Sequence, residues 1–94
     1  MRDYETMYIL RPDLEEEAVE AAITRFQELI AEEGGTVTNV NKWGRRRLAY
    51  EIEGYGEGVY VIMEFSAEAR VARELERVFR ITDEVIRYLM IKKD

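Results

Sequence analysis

The hydrophobic period of this chain switches from two to a three-and-four spacing and back, twice in the same order, and few folds accommodate that alternation. Residues 3–10 are rich in Tyr, Thr, Met and Ile and run into Arg11-Pro12-Asp13. They read as a strand that is apolar on both faces and stopped by Pro12. A helical pattern follows, with Leu14, Val19, Ala22, Ile23, Phe26, Leu29 and Ile30 at spacings of three and four. Asp13 is expected to cap this helix, with Glu16 three residues on, and Gly34-Gly35 to close it. Residues 36–53 read as one long strand in which Val40, Leu48, Tyr50 and Ile52 share a phase, with Gly44 marking a bulge or bend. Residues 54–58 (Gly54-Tyr55-Gly56-Glu57-Gly58) are expected to form a hairpin loop, and residues 59–65 a third strand. Ser66 is expected to cap a second helix carrying Val71, Ala72, Leu75, Val78 and Phe79. Thr82-Asp83 then turns the chain into a last strand, residues 85–91, before the charged end Lys92-Lys93-Asp94.

Strand, helix, strand, strand, helix, strand is two split βαβ units. Right-handed crossovers fold them into an α+β, ferredoxin-like sandwich: a four-stranded antiparallel sheet in the order 4-1-3-2 with both helices on one face. Ninety-four residues hold one such domain, spanning 1–94, and no second core.

Composition narrows the chemistry. There is no Cys and no His, and Ser66 is the only Ser, so triad hydrolysis, imidazole proton shuttling and Cys- or His-ligated metals are excluded. No cofactor is expected. No apolar run approaches the length of a membrane span, and the first residues lack the apolar stretch of a signal peptide, so a soluble cytoplasmic protein with no membrane partner is expected. The net charge of -6 argues at first against nucleic acid. That charge is local, however. Residues 13–33 hold eight acids and one base, Arg25, so the rest of the chain is nearly neutral.

Two features stand out. Lys42-Trp43-Gly44-Arg45-Arg46-Arg47 holds four of the fourteen basic residues and the only Trp. If strand 2 keeps its register, Trp43, Arg45 and Arg47 lie opposite Leu48, Tyr50 and Ile52 and point away from the helices. Such an edge can bind phosphate, carboxylate or a partner's pocket, or can guard a free strand against sheet-to-sheet pairing; both readings stand. The second feature is the sheet itself. Met7 and Ile9, Tyr60 and Ile62, and Leu89 and Ile91 alternate with Tyr4, Tyr8 and Leu10, with Val59, Val61 and Met63, and with Tyr88 and Met90. One set of each pair must face away from the helices, and an apolar patch of that kind marks a protein partner or self-association. The Glu-rich first helix (Glu16, Glu17, Glu20) reads as a solvated face rather than a metal cage.

The run Trp43-Gly44-Arg45-Arg46-Arg47-Leu48-Ala49-Tyr50-Glu51-Ile52 resembles the signature of the bacterial small-subunit ribosomal protein six family: Gly, any residue, a basic residue, a polar residue, then Leu-Ala-Tyr-x-Ile. Met1-Arg2-Asp3-Tyr4-Glu5 through Arg11-Pro12 resembles the family's start, and Val85-Ile86-Arg87-Tyr88 through Ile91-Lys92 its final strand. The resemblance covers nearly the whole chain. It implies the same fold and a non-catalytic role in the small ribosomal subunit. There the family binds the platform region of 16S ribosomal RNA cooperatively with ribosomal protein eighteen, as a heterodimer. It further implies that Arg2, Tyr4, Arg87, Lys92 and Lys93, on strands 1 and 4, meet RNA. Trp43, Arg45, Arg46, Arg47, Tyr60 and Ile62 would meet the partner protein, and the isolated chain would be a monomer.

Two other classes fit less well. A free-standing RNA-recognition module stacks bases on paired aromatics of its central strands. Strand 3 here, Gly58-Val59-Tyr60-Val61-Ile62-Met63-Glu64-Phe65, lacks that module's basic-Gly-aromatic start and its paired aromatics. A small phosphatase on the same scaffold needs a phosphate cradle after strand 1. Here that loop is Arg11-Pro12-Asp13-Leu14 followed by three Glu, which would repel phosphate.

Overall fold

A computed structural model describes residues 1–93; Asp94, the last residue of the charged end, lies outside them. The elements are β1 (Arg2–Leu10), α1 (Glu16–Glu32), β2 (Thr36–Ile52), β3 (Tyr55–Ala67), α2 (Ala69–Ile81) and β4 (Val85–Lys92). The strands form one sheet in the order β2-β3-β1-β4, and all three pairings are antiparallel. This is the expected order read from the other edge.

Both helices lie on one face because their apolar stripes match a single sheet phase. Val19, Ala22, Ile23, Phe26 and Ile30 of α1 and Val71, Ala72, Leu75 and Phe79 of α2 are buried. They meet Tyr4, Tyr8 and Leu10 of β1 and Val59, Val61, Met63 and Phe65 of β3. The centre is aromatic. Tyr8, Phe26 and Phe79 come from β1, α1 and α2, with ring centroids 4.9–5.1 Å apart. Burying each of these side chains contributes roughly 1.5–3 kcal/mol, so this trio fixes both helices to the central strand.

The Tyr8 hydroxyl sits among them with no hydrogen-bond partner. Burial drives its pKa far above the usual phenol range, and Glu20 adds to the shift. The buried Thr6 is satisfied: its hydroxyl donates to the Leu89 carbonyl at 2.8 Å.

Helix ends depart from expectation at their starts. The N-cap of α1 is Glu15 and that of α2 is Glu68, neither with a side-chain cap. Asp13 is spent on Arg11 (3.1 Å), and Ser66 stays in β3, donating to the Asp3 carboxylate. The closing glycines behave as expected: the Gly35 amide bonds the Ile30 carbonyl at 2.8 Å, and Gly34 has φ 91°.

The long β2 departs most. Against β3 its register slips between Val37 and Asn39, between Lys42 and Gly44, and between Arg47 and Ile52. Each one-residue slip turns the following side chains over. Val37, Val40 and Lys42 therefore sit opposite Phe65, Met63 and Val61 on the helix face, although 37 and 40 differ in parity. Gly44, with φ 89°, takes a backbone conformation that suits glycine at such a bulge. At the third slip the four residues 48–51 stand against Gly56 alone, and the hairpin bends. Its turn is Glu53 (φ 51°) and Gly54 (φ 85°), a two-residue turn in place of the expected loop over 54–58.

The bent hairpin crosses the sheet at Gly58. A Cβ there would lie 2.3 Å from Ile9 Cγ2 and 3.2 Å from the Leu10 carbonyl oxygen. On the other edge of the layer, Lys42 joins β2 to α1 through the carboxylates of Glu16 and Glu20. That contact holds the Glu16 carboxyl below, and the Lys42 ammonium above, their ordinary values, the hydrogen bonds being the main cause.

Three outcomes follow from this packing. Tyr8→Phe removes an unsatisfied buried hydroxyl and should leave stability unchanged or raise it by about 1 kcal/mol in urea unfolding; a decrease of that size would reveal a partner for the hydroxyl. Gly58→Ala should cost about 1–3 kcal/mol by the same measurement, and a neutral result would mean that the β3–β1 crossing is loose. Because Glu16 is depressed in the folded state, its contribution is present above the unfolded-state value near 4.5 and lost as pH falls through the folded value. Lys42→Met should therefore shrink the drop in urea midpoint between pH 7 and pH 3. An unchanged drop would show the ion pair to be unformed in solution.

Candidate functional site

The face of the sheet away from the helices is built from three cross-strand rows. Tyr60, Ile9 and Arg87 pair across β3, β1 and β4; next come Ile62, Met7 and Leu89, then Glu64, Glu5 and Ile91. The apolar set on this open face is therefore Met7, Ile9, Tyr60, Ile62, Leu89 and Ile91, and its counterpart set fills the core.

One end of that face is covered by the chain itself. Leu48, carried over the sheet by the hairpin bend, is buried with Ile9 and Ile86, and Ile52, Tyr55 and Tyr60 pack around them. Tyr50 is 62% exposed, and Arg87 of β4 donates to its hydroxyl at 2.6 Å, the guanidinium 5.9 Å from the ring centre. The middle row stays open: Met7 and Ile62 are half-buried and Leu89 is 51% exposed, with Ile91 beyond it at 46%.

The basic run of β2 divides between the two sides of its strand. Arg45 pairs with Val59 and Arg47 with Glu57, which places both on the helix side. There Arg45 donates to the Pro12 carbonyl (2.8 Å) and approaches Glu57 at 3.5 Å. Arg46 pairs with Gly58 on the open side. Trp43 is the extra residue of the second bulge, 46% exposed, with the Arg46 guanidinium 5.4 Å from its ring. The expectation that Arg45 and Arg47 point away from the helices is thus overturned, because the bulge before Gly44 inverts the phase. Their position opposite Leu48, Tyr50 and Ile52 is retained.

Four of the residues expected at RNA are spread along β4 and the start of β1, Arg87 opposite Ile9 on the open face and Lys92 opposite Tyr4 near the other end of the strand; the remaining one is an exception. Arg87, Lys92 and Lys93 are exposed, and so is Arg2 at the start of neighbouring β1. Lys93 is tied down, its ammonium 2.9 Å from Glu64 and its amide bonded to the Asp3 carbonyl. Tyr4 is the exception. It is 7% exposed on the helix face, its ring stacked on Phe65 at 5.4 Å, so it belongs to the core and presents no ring to a base. Sequence reasoning misses Leu48 and Ile86 as the cover of the open face; Gly44, whose bulge turns Leu48 away from the face that Val40 occupies, is the available signal. Among the described residues no cluster suits a metal ion, and no helix is long and apolar enough to cross a membrane.

Comparison with known proteins agrees with this architecture. The family model described as Ribosomal protein S6 matches residues 3–92. A relative from Caldanaerobacter subterraneus subsp. tengcongensis, named small ribosomal subunit protein bS6, is 56% identical over 94 residues, covering all of this chain and 99% of the relative. A protein of the same name from Moorella thermoacetica is 51% identical over 92 residues, covering 98% and 94%. The crystal structure of 30S ribosomal protein S6 from Thermotoga maritima superimposes with a TM-score of 0.93 at 34% identity, covering 98% of this chain and 87% of that one. With matches that run almost end to end in sequence and in fold, the chain belongs to the ribosomal protein S6 family.

Proposed function

We propose that this chain works as an assembly protein of the bacterial small ribosomal subunit, docking with ribosomal protein eighteen and joining the platform region of 16S ribosomal RNA as a heterodimer. Its family is one of ribosomal constituents rather than enzymes. The observation that carries the proposal is the open apolar row Ile62–Met7–Leu89, flanked on the same face by Arg46 and Arg87. A monomer gains nothing by exposing such a row, and covering it supplies the partner affinity.

The partner protein then sits on the open face, against Tyr60, Ile62 and Leu89, with Trp43 and Arg46 at the rim. Arg45 and Arg47 guard the other side of the β2 edge and fix orientation through charge rather than buried area. RNA lies along β4, at Arg2, Arg87, Lys92 and Lys93. Two of these cations are already engaged, Arg87 with Tyr50 and Lys93 with Glu64. The isolated chain, a monomer, therefore binds RNA weakly, and the heterodimer combines two basic surfaces.

A titration of a 16S platform-junction fragment tests this. Affinity should rise at least tenfold when ribosomal protein eighteen is added, and should then fall steeply with salt. Tight binding by the chain alone, unaffected by the partner, would overturn the scheme. Leu89→Asp should weaken the protein–protein complex by about tenfold or more, about 1.4 kcal/mol, while Lys92→Ala with Lys93→Ala should leave it intact. Equal losses would remove the open face from the interface.

A further inference from the structure

The exposed face of α2 carries a feature that the proposed interfaces do not use. Arg70, Arg73, Arg77 and Arg80 are all exposed and are the only basic residues of this helix. At 100° per residue they fall within about 80° of the helix circumference and span about 15 Å along it. That arc lies opposite the side buried through Val71, Ala72, Leu75 and Phe79.

Their neighbours leave donors free. Arg77 uses Nε and Nη2 on Glu74 (3.0 and 2.7 Å), and Arg70 bonds Glu33 at 2.8 Å through Nη1. Arg80 donates through Nη1 to the Tyr88 hydroxyl at 3.2 Å. Each guanidinium carries five N–H donors, so each retains some for another acceptor. The ion pairs are solvent-exposed, worth little, and exchangeable for phosphate.

The place of α2 matters as much as its charge. α1 carries five Glu and one Arg and is joined to β2 through Lys42. α2 carries four Arg and two Glu and is joined to β4 through Arg80 and Tyr88. β3 ends at Ala67, which pairs with Arg2, and α2 begins two residues later. The arginine row thus starts at the Arg2 end of the sheet and runs back beside β4 to Tyr88. The basic edge at Arg2, Arg87 and Lys92 continues over the rim onto the helix layer.

We infer that the α2 arginine row is a second binding surface for an RNA phosphate backbone, one that lets a strand bound along β4 extend over the rim and past the helices. The row reads no bases, because guanidinium–phosphate pairing carries position and charge but no sequence. An acidic protein segment would meet the same charges, but the continuity with the β4 edge favours RNA. The inference rests on the proposed RNA role.

The test uses the full chain with ribosomal protein eighteen and a 16S platform-junction fragment that includes its flanking helices. The quantity measured is the slope of log affinity against log salt. Arg73→Gln with Arg77→Gln should reduce the slope by about 0.7–0.9 for each phosphate that is no longer neutralised and leave the protein–protein affinity unchanged. Arg25→Gln on α1, compared with the single Arg73→Gln, makes the same change in net charge off the row and should leave the slope alone. Circular dichroism melting confirms that the exposed substitutions fold. An unchanged slope in the double variant overturns the α2 surface, whether the row is then solvent-facing or serves an acidic protein. Equal effects from Arg25 and Arg73 also overturn it, since net charge alone would explain them. Failure of the unsubstituted heterodimer to bind any RNA is a different result, and it removes the proposed RNA role itself.

Discussion

A four-stranded sheet has two faces, and two helices cover one of them. In this chain both faces are apolar, and the remaining features follow from how the second one is managed. The Tyr8–Phe26–Phe79 trio closes the first face. Over the second, the hairpin bends because residues 48–51 oppose Gly56 alone, and this brings Leu48 down on Ile9 and Ile86. The absence of a side chain at Gly58 lets the strands approach closely enough. The cover stops there, and the row Ile62–Met7–Leu89 stays open, with Leu89 51% exposed. Self-covering at one end and openness at the middle are two results of a single bend.

Electrostatics follows the same division. The net charge of -6 would oppose RNA if it were spread evenly. It is instead concentrated around α1, where Glu16 and Glu20 are engaged with Lys42 at the β2 side of the layer. Within a Debye length of about 10 Å at ordinary salt, a strand lying along β4 and α2 meets local cations before it meets the acids of α1. Net charge is therefore a poor guide to partners when one helix carries most of it.

Much of this is legible in the sequence. The order of elements, the apolar stripes of α1 and α2, and the two alternating apolar sets of β1, β3 and β4 follow from periodicity, whereas the register decides that Met7, Ile9, Tyr60, Ile62, Leu89 and Ile91 share the open face. What periodicity does not carry is the phase of β2. Two one-residue bulges invert it twice, so Val37, Val40 and Lys42 share a face that alternation forbids, and Arg45 and Arg47 turn to the helix side. The turn is hard to place because three glycines in five residues look like a loop, whereas Glu53-Gly54 supplies the positive φ and the later glycines serve a strand. Resemblance assigns Tyr4 to RNA, but its parity with Tyr8 and Leu10 already places it among core residues.

The bulges also bear on the two readings of the basic edge. Adding a strand to β2 would require a regular row of free backbone groups on its outer side. The slips at Val37/Asn39 and Lys42/Gly44 break that row, and Lys42, Arg45, Arg46 and Arg47 place charge along it. These are the devices that keep edge strands from pairing with other sheets. Under the proposed function, a partner would then dock on the open face, where side chains rather than backbone make the contact and where shape can select one protein. Guarding the edge and binding at the face are then complementary. The irregular β2 both refuses strand addition and, through its final bend, sets the boundary of the surface that remains.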